Sequence, residues 1–424
     1  MSRESMPILI LAWKSLLSRR GTALLTVLSI GLSVVLLVGV ERLRTETRAS
    51  FANTVSGTDL IVGARTGPVQ LLLYSVFRIG HATNNISWAS YREITTHPRV
   101  AWTIPLSLGD SHRGYPVLGT SSAYFEHYRY GRGRALVVAE GAPFSDLYDA
   151  ALGAEVAKAL GYALGDSVVI THGASDVAFA RHDDHPFRVA GILAPTGTPV
   201  DRTVHVSLEG IEAIHVGWDG GAPLPGRTLD AEETRAIDLT PKAITAALVG
   251  LTSRISTFQV QRFVNDFRQE PLMAILPGVA LAELWGLIAV GEQALLLVSG
   301  LVVVVGLFGL LIALLTSLNE RRREMSILRS VGARPAHVFS LILGEACVLT
   351  LLGILVGLSL LYGALLMAQP AILSAMGIFV AVGILSAHEM MLLGLVLAAG
   401  FLVGLIPGYR AYRLSLADGL SIRV

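Results

Sequence analysis

Hydrophobic positions along the chain fall into two textures. Thr22–Val40, Ala294–Leu318, Val338–Met367 and Met390–Ile406 are apolar almost throughout. Ala294–Leu318 has no charge in 25 residues, and Val338–Met367 has the single acid Glu345 in 30. A helical run of about 20 apolar residues spans the hydrocarbon core of a bilayer. Four transmembrane helices are therefore predicted, at 22–40, 294–318, 338–367 and 390–406. Ala371–Ala387 is uncharged for 17 residues and competes as a fifth. Its small residues and the β-branched character of Ile378–Val382 suit an extracytoplasmic loop, and 368–389 is read as one.

The second texture occupies residues 41–287, about 245 residues, which is ample for one or two hydrophobic cores. Short alternating runs at Asp59–Val62, Val117–Thr120, Ser167–Thr171, Phe187–Ile192 and Thr203–Val206 predict strands. Trp88–Thr96 and Ala154–Leu160 predict helices. Pro241–Arg254 and Phe258–Phe267 return the chain through a strand and a helix, and 279–293 approaches the second span as an amphipathic segment. Residues 217–240, rich in Gly, Pro and acids, read as an exposed loop. The fold class is thus an α-helical membrane protein of four spans. A large α+β domain lies between its first and second helices.

Charge placement orients these pieces. The net charge is only +1, which offers nothing to nucleic acid. Lys and Arg number four in residues 1–20, five in 317–337 and three in 408–424, against none in 368–389. Short loops rich in Lys and Arg stay cytoplasmic, so both termini and 319–337 are expected inside and the large domain outside. Residues 1–21 read as an amphipathic segment on the inner membrane face. No small-residue cleavage site follows the first apolar run, and Glu41-Arg42-Leu43-Arg44 continues a helical pattern, so an uncleaved anchor is expected rather than a signal peptide. The one cysteine, Cys347, excludes a disulfide framework.

Enzymatic motifs are missing. A P-loop places a lysine directly after a glycine, and neither Lys14, Lys158 nor Lys242 follows one. There is no H-E-x-x-H and no G-x-S-x-G. The chain is read as a non-enzyme without a cofactor of its own.

The stretch Asn319–Gly332, NERRREMSILRSVG, is the densest in chemistry. Topology needs only its arginines, Arg321, Arg322, Arg323, Arg329 and, just beyond, Arg334. Here Glu320 and Glu324 are interleaved with them, and Met325, Ile327, Leu328 and Val331 add an apolar stripe. A short loop with a charged face and an apolar stripe is built to meet another protein. Glu320, Arg321, Arg322, Glu324, Met325, Leu328, Arg329, Val331, Gly332 and Ala333 match E-R-R-x-E-[IM]-x-[IL]-[LM]-R-x-[IVL]-G-A. This pattern resembles the coupling segment of FtsX-like and MacB-like ABC transporter permeases. Pro407-Gly408-Tyr409-Arg410-Ala411-Tyr412-Arg413-Leu414-Ser415, with Ala417, Asp418 and Leu420 behind, resembles the family's ending. Gly153, Ala157, Leu160, Gly161, Gly165 and Asp166 match the G-x-x-x-A-x-x-L-G-x-x-x-G-D segment that opens its small β-rich subdomain, here about 152–208.

That resemblance implies a Gram-negative inner-membrane permease of the type VII class, acting as a dimer with a separate cytoplasmic ATPase that holds the ATP and Mg. Its residues for ATPase coupling would be Glu320, Arg321, Arg322, Glu324, Met325, Leu328, Arg329 and Gly332. The family is associated with mechanotransmission, work done in the periplasm without substrate crossing through the spans. Efflux and the handling of lipoprotein, lipid or peptide are the associated tasks, with a periplasmic adaptor, carrier or binding protein as further partner and lipid around the spans. Two other readings stay open: a part in zinc homeostasis, and a non-transporting regulator of a periplasmic enzyme.

Three further features bear on function. Glu345 is costly in lipid and so a candidate site, although pairing with an arginine of the 319–337 segment explains it as well. His172, His182, Asp183 and His185 carry ligand types suited to zinc, against the plain reading of a polar turn before Pro186. His112, His205 and His215 read as ordinary strand or core histidines, and Thr196-Gly197-Thr198-Pro199 with Asp201-Arg202 as a turn with a local ion pair. Gly353 and Gly357 form a G-x-x-x-G pair that would mark a helix interface.

Overall fold

The structure, a computed structural model, describes residues 20–54, 56–172, 185–216, 218–219, 222–223, 231–330, 332–376 and 383–413. The chain divides into two compact units, one of residues 1–46, 289–370 and 380–424, the other of residues 47–288 and 371–379. Among the described residues four helices are long and apolar enough to cross a membrane. These are α1 (Arg20–Thr54), α2 (Pro277–Glu320), α4 (Pro335–Met376) and α5 (Ala387–Arg413), with the short α3 (Arg322–Ser330) between the second and third. The expected loop 368–389 is thereby corrected in part, since α4 continues to Met376 and α5 already begins at Ala387. The helix runs through Pro370, which removes one backbone donor but does not end it.

Small residues set the packing of the membrane unit. In lipid, helices gain little by hiding apolar side chains from one another, so close backbone approach and its van der Waals contacts decide. A Cβ on Gly357 would lie 2.6 Å from the Gly31 carbonyl oxygen, and one on Gly353 2.7 Å from Ile30 Cβ, so α4 meets α1 backbone to backbone. On α5, Gly400, Gly404 and Gly408 face Thr350, Ala346 and Phe339 of α4 in turn. This second stripe has the same four-residue spacing. Gly306 of α2 sits against Ser33 of α1, whose hydroxyl donates to Val302 O at 3.1 Å. Val34, Val38, Leu310, Leu349 and Val396 fill the spaces between.

The other unit is built on a mixed sheet. Its main strands are β1 (Leu60–Ala64), β2 (Val100–His112), β3 (Tyr115–Thr120), β4 (Val138–Gly141), β5 (Asp149–Leu152), β6 (Phe187–Leu193), β7 (Val204–Ser207), β8 (Ala246–Leu251) and β9 (Leu272–Ile275). They run in the order β9-β1-β8-β2-β3-β7-β5-β6-β4. Alternation along the strands feeds two cores. Ile61, Ala246 and Leu248 join one with Leu71, Tyr74 and Tyr124, while Leu60, Val62, Ala247 and Val249 join another with Ile94 and Val260. A third core, around Val117, Val156, Phe187 and Val206, belongs to the β-rich part.

The long strand β2 joins the halves. Residues 100–106 pair with β8, residues 107–112 with β3, and the register shifts between Leu108 and Ser111 at the bulge where Gly109 lies. The β-rich part also has a local logic. Gly153 has no room for a side chain, because a Cβ would meet Val200 O at 2.3 Å, and Gly161 closes the helix Ala154–Leu160 at φ +70. Part of the expected loop 217–240 is ordered instead: Trp218–Asp219 pairs with Ala222–Pro223, and the helix Ala231–Arg235 ends on an Arg235–Asp146 pair at 2.7 Å.

The helix contacts yield a direct test. Gly357→Val should lower the thermal unfolding temperature of the detergent-solubilised chain by several degrees, a loss of about 1–3 kcal/mol as for other overpacked sites. Gly363→Val, where nothing lies within 4 Å of the added carbon, should leave it unchanged. Equal behaviour of the two variants would contradict the packing described.

Candidate coupling site between two membrane helices

The connection from α2 to α4 folds as a knuckle because three residues stop and restart the helix. Arg321 interrupts α2 after Glu320. Gly332 takes φ +103, which favours glycine, and its N–H closes on Arg329 O at 3.1 Å to end α3. Pro335 then opens α4, a position where its missing N–H costs nothing.

Inside the knuckle the side chains sort by depth. Met325 is buried with Leu318 of α2, Val338, Leu341 and Ile342 of α4, and Ala411 of α5. Two of the sequence segments that resembled the permease family, at 320–333 and 407–415, therefore meet in one apolar cluster. Arg321 is buried too. Its Nε donates to Glu324 Oε2 at 2.8 Å, and its Nη1 lies 3.5 Å from Glu345 Oε2, with Arg321 and Glu345 side chains both 7 % exposed. Glu320, Glu324, Ile327 and Gly332 are exposed, and Arg329 is half-buried. Of the side chains of Arg322 and Leu328 only the helical backbone is described.

This arrangement divides the expected coupling residues. Arg321 roots the knuckle in α4, and Met325 turns inward onto α2, α4 and α5. A guanidinium in an apolar setting needs carboxylates around it, and Glu324 and Glu345 supply them. Ile327 stays on the outer face with Glu324.

The histidine cluster divides differently. His172 lies on a strand paired antiparallel with Ser111 and Asp110 of β2, and His185 stacks on Tyr148 at 5.5 Å between centroids. His182 and Asp183 lie outside the described residues. Among the described residues no group of three His, Cys, Asp or Glu side chains is placed to share an ion. His112 bonds Val169 O and Tyr162 Oη, and His215 bonds Ile211 O. The expected ion pair of Asp201 with Arg202 is not formed. Asp201 accepts hydrogen bonds from Thr196 and Gly197, while Arg202 lies 3.6 Å from Glu155.

Two tests follow from these environments. Removing one partner of a buried pair strands the other, so Glu345→Ala should destabilise the chain by about 3 kcal/mol in thermal unfolding. The double variant with Arg321→Ala should cost less than the sum of the two. His205 is fully buried beside the Arg78 guanidinium, and burial depresses its pKa from 6.5 to about 3. Between those values the unfolded chain binds a proton that the folded chain refuses, so stability falls as pH drops, by about 1 kcal/mol per pH unit. His205→Gln should flatten that slope in denaturant unfolding followed from pH 7 to pH 4.

Comparison with known proteins agrees with this architecture. Residues 23–260 match the MacB-like periplasmic core domain, and residues 296–416 match the FtsX-like permease C-terminal domain. A protein described as a "Probable export ATP-binding/permease protein" from Pseudomonas fluorescens is 26% identical over 372 residues, 83% of this chain and 51% of the relative. The "Uncharacterized ABC transporter permease YknZ" of Bacillus subtilis is 39% identical over 66 residues, 16% of this chain and 17% of the relative. The chain thus spans about half the length of the first relative and less of the second. The periplasmic region of MacB from Actinobacillus actinomycetemcomitans superposes with a TM-score of 0.34 at 10% identity, covering 55% of this chain and 94% of that one. With both of its parts matched over most of their length, the chain belongs to the FtsX-like and MacB-like family of ABC transporter permeases.

Proposed function

We propose that this chain is the membrane subunit of an inner-membrane ABC system that passes work from a separate cytoplasmic ATPase to its large domain in the periplasm. The observation that carries the reading is the knuckle: a short helix with Glu324 and Ile327 exposed, fixed by Arg321 to a buried glutamate of the next membrane helix. A push on α3 is therefore delivered to α4 through a charged joint and the Met325 contact, not absorbed by a slack loop. Two copies of the chain would dock two copies of the ATPase, with both termini on the ATPase side, as the arginine distribution supports.

The task served is efflux or the handling of lipoprotein, lipid or peptide, which needs no polar path along the spans. Glu320, Arg322, Glu324, Leu328 and Arg329 form the docking set in this reading, while Arg321, Met325, Gly332 and Glu345 hold it in shape. The chain itself performs no hydrolysis.

Affinity purification of the tagged chain from its native membranes tests the reading. An ABC ATPase should copurify with the parent, and its recovery should fall about tenfold with Arg322→Glu combined with Arg329→Glu, since opposed charges reject a partner. Membrane insertion should be unchanged. Undiminished recovery of the ATPase with the double variant would sink the assignment of the knuckle as its dock.

A further inference from the structure

At the end of the membrane unit away from the knuckle, α1 and α5 present facing charge pairs. Arg42 forks onto Glu389, Nε to Oε1 at 2.8 Å and Nη2 to Oε2 at 2.9 Å, with the two side chains only 5 % and 4 % exposed. Beside it, Glu41 accepts from Arg44 at 2.9 Å and has His388 at 3.6 Å. The dipeptide Glu41-Arg42 thus faces His388-Glu389.

The fork is held on every side. Ser386 and Glu389 cap the start of α5 reciprocally, Ser386 N donating to Glu389 Oε2 at 2.7 Å and Glu389 N to Ser386 Oγ at 3.1 Å. This capping box fixes the carboxylate before Arg42 reaches it. From α4, the Tyr362 ring lies 5.0 Å beneath the guanidinium, and its hydroxyl donates to Gly383 O at 2.8 Å. Arg42 itself reaches the carbonyls of Gly383 and Ile384. One side chain of α1 is therefore seized by both α4 and α5.

A buried ion pair is poor value as a source of stability, because desolvation cancels most of the attraction, but a two-pronged fork fixes direction and register. Apolar side chains would glue these helices equally well. They would not stop one from sliding or turning against another. From this we infer that Arg42 and Glu389 form a rigid clamp that makes α1 follow α4 and α5, so that movement entering at the knuckle leaves through the continuation of α1 beyond Arg42. The inference rests on the relay reading above and names two positioning residues for it.

The test uses the full chain with its copurifying ATPase in lipid nanodiscs. Cys347→Ala removes the native thiol, and spin labels at Glu126→Cys and Gly291→Cys report the distance between the soluble and membrane units. ATP with vanadate should shift that distance in the parent. Glu389→Gln should bind the ATPase as before and elute as a folded protein, yet the responding fraction should fall about tenfold, within the usual range of coupling between sites. The swap Arg42→Glu with Glu389→Arg should regain most of the response, and Arg42→Lys, charged but unable to fork, only part. A parent-like response from Glu389→Gln would overturn the clamp and leave the relay standing. Loss of the ATPase from Glu389→Gln would overturn it too, by placing the effect in docking. If Glu389→Gln does not fold, a folded but unresponsive swap is decisive against the clamp. A parent that does not respond to ATP at all would bring down the relay reading and the clamp with it.

Discussion

Backbone proximity between membrane helices is the condition on which the rest of this protein depends. In hydrocarbon, a leucine gains nothing by leaving lipid for another leucine, so the unit must hold by contact quality. Gly31 against Gly353 and Gly357, and Gly400, Gly404 and Gly408 against α4, bring main chains close enough for those contacts to form. Among the described residues, the buried charged groups of the membrane unit sit toward the two ends of the helices, where their cost in lipid is lowest. Arg321 with Glu324 and Glu345 closes one end, and Arg42 with Glu389 closes the other.

This division of labour gives the unit a mechanical character. The glycine contacts are tight but non-directional along a helix surface, and the ion pairs are directional but local. Together they make a bundle whose middle resists separation and whose ends resist sliding. A chain that conducted a polar solute through its spans would carry polar groups along their length. Here valine, leucine and isoleucine dominate the spaces between the described helices, and the buried hydroxyls of Thr26, Ser33, Ser299 and Thr350 bond backbone carbonyls.

Much of this was legible from residues alone, and the exceptions have physical causes. Four apolar runs announce four helices, because in lipid no other open structure satisfies the backbone. The knuckle was visible as charge between two such runs, but which of its arginines faces inward was not, since that depends on Glu345, placed by the next helix. The Gly400-Gly404-Gly408 stripe has a readable spacing, yet small residues are too common in apolar runs to stand out. Arg42 looked like the helical continuation of the first anchor and Glu389 like the end of a loop, because nothing local links residues so far apart in sequence. The strand Val100–His112 escaped notice for a different reason: Pro105 and Gly109-Asp110-Ser111 break the alternation that would reveal it, and the bulge at Gly109 is where the two halves of the sheet part.

The register of that sheet also governs how the chain comes into being. Leu60 pairs with Val249, and Ala64 with Leu272, so the first strand waits for partners that emerge from the ribosome long after it. Sheets closed by such distant pairings form slowly and leave open edges while they wait. The strand that completes the edge, Leu272–Ile275, is followed almost at once by Pro277, where the second membrane helix begins. Maturation of the soluble unit and delivery of the second helix to the bilayer are therefore nearly simultaneous events in synthesis. A chain stalled before that point holds an anchored but unfinished sheet, which makes this interval the one in which chaperones and proteases have most to recognise.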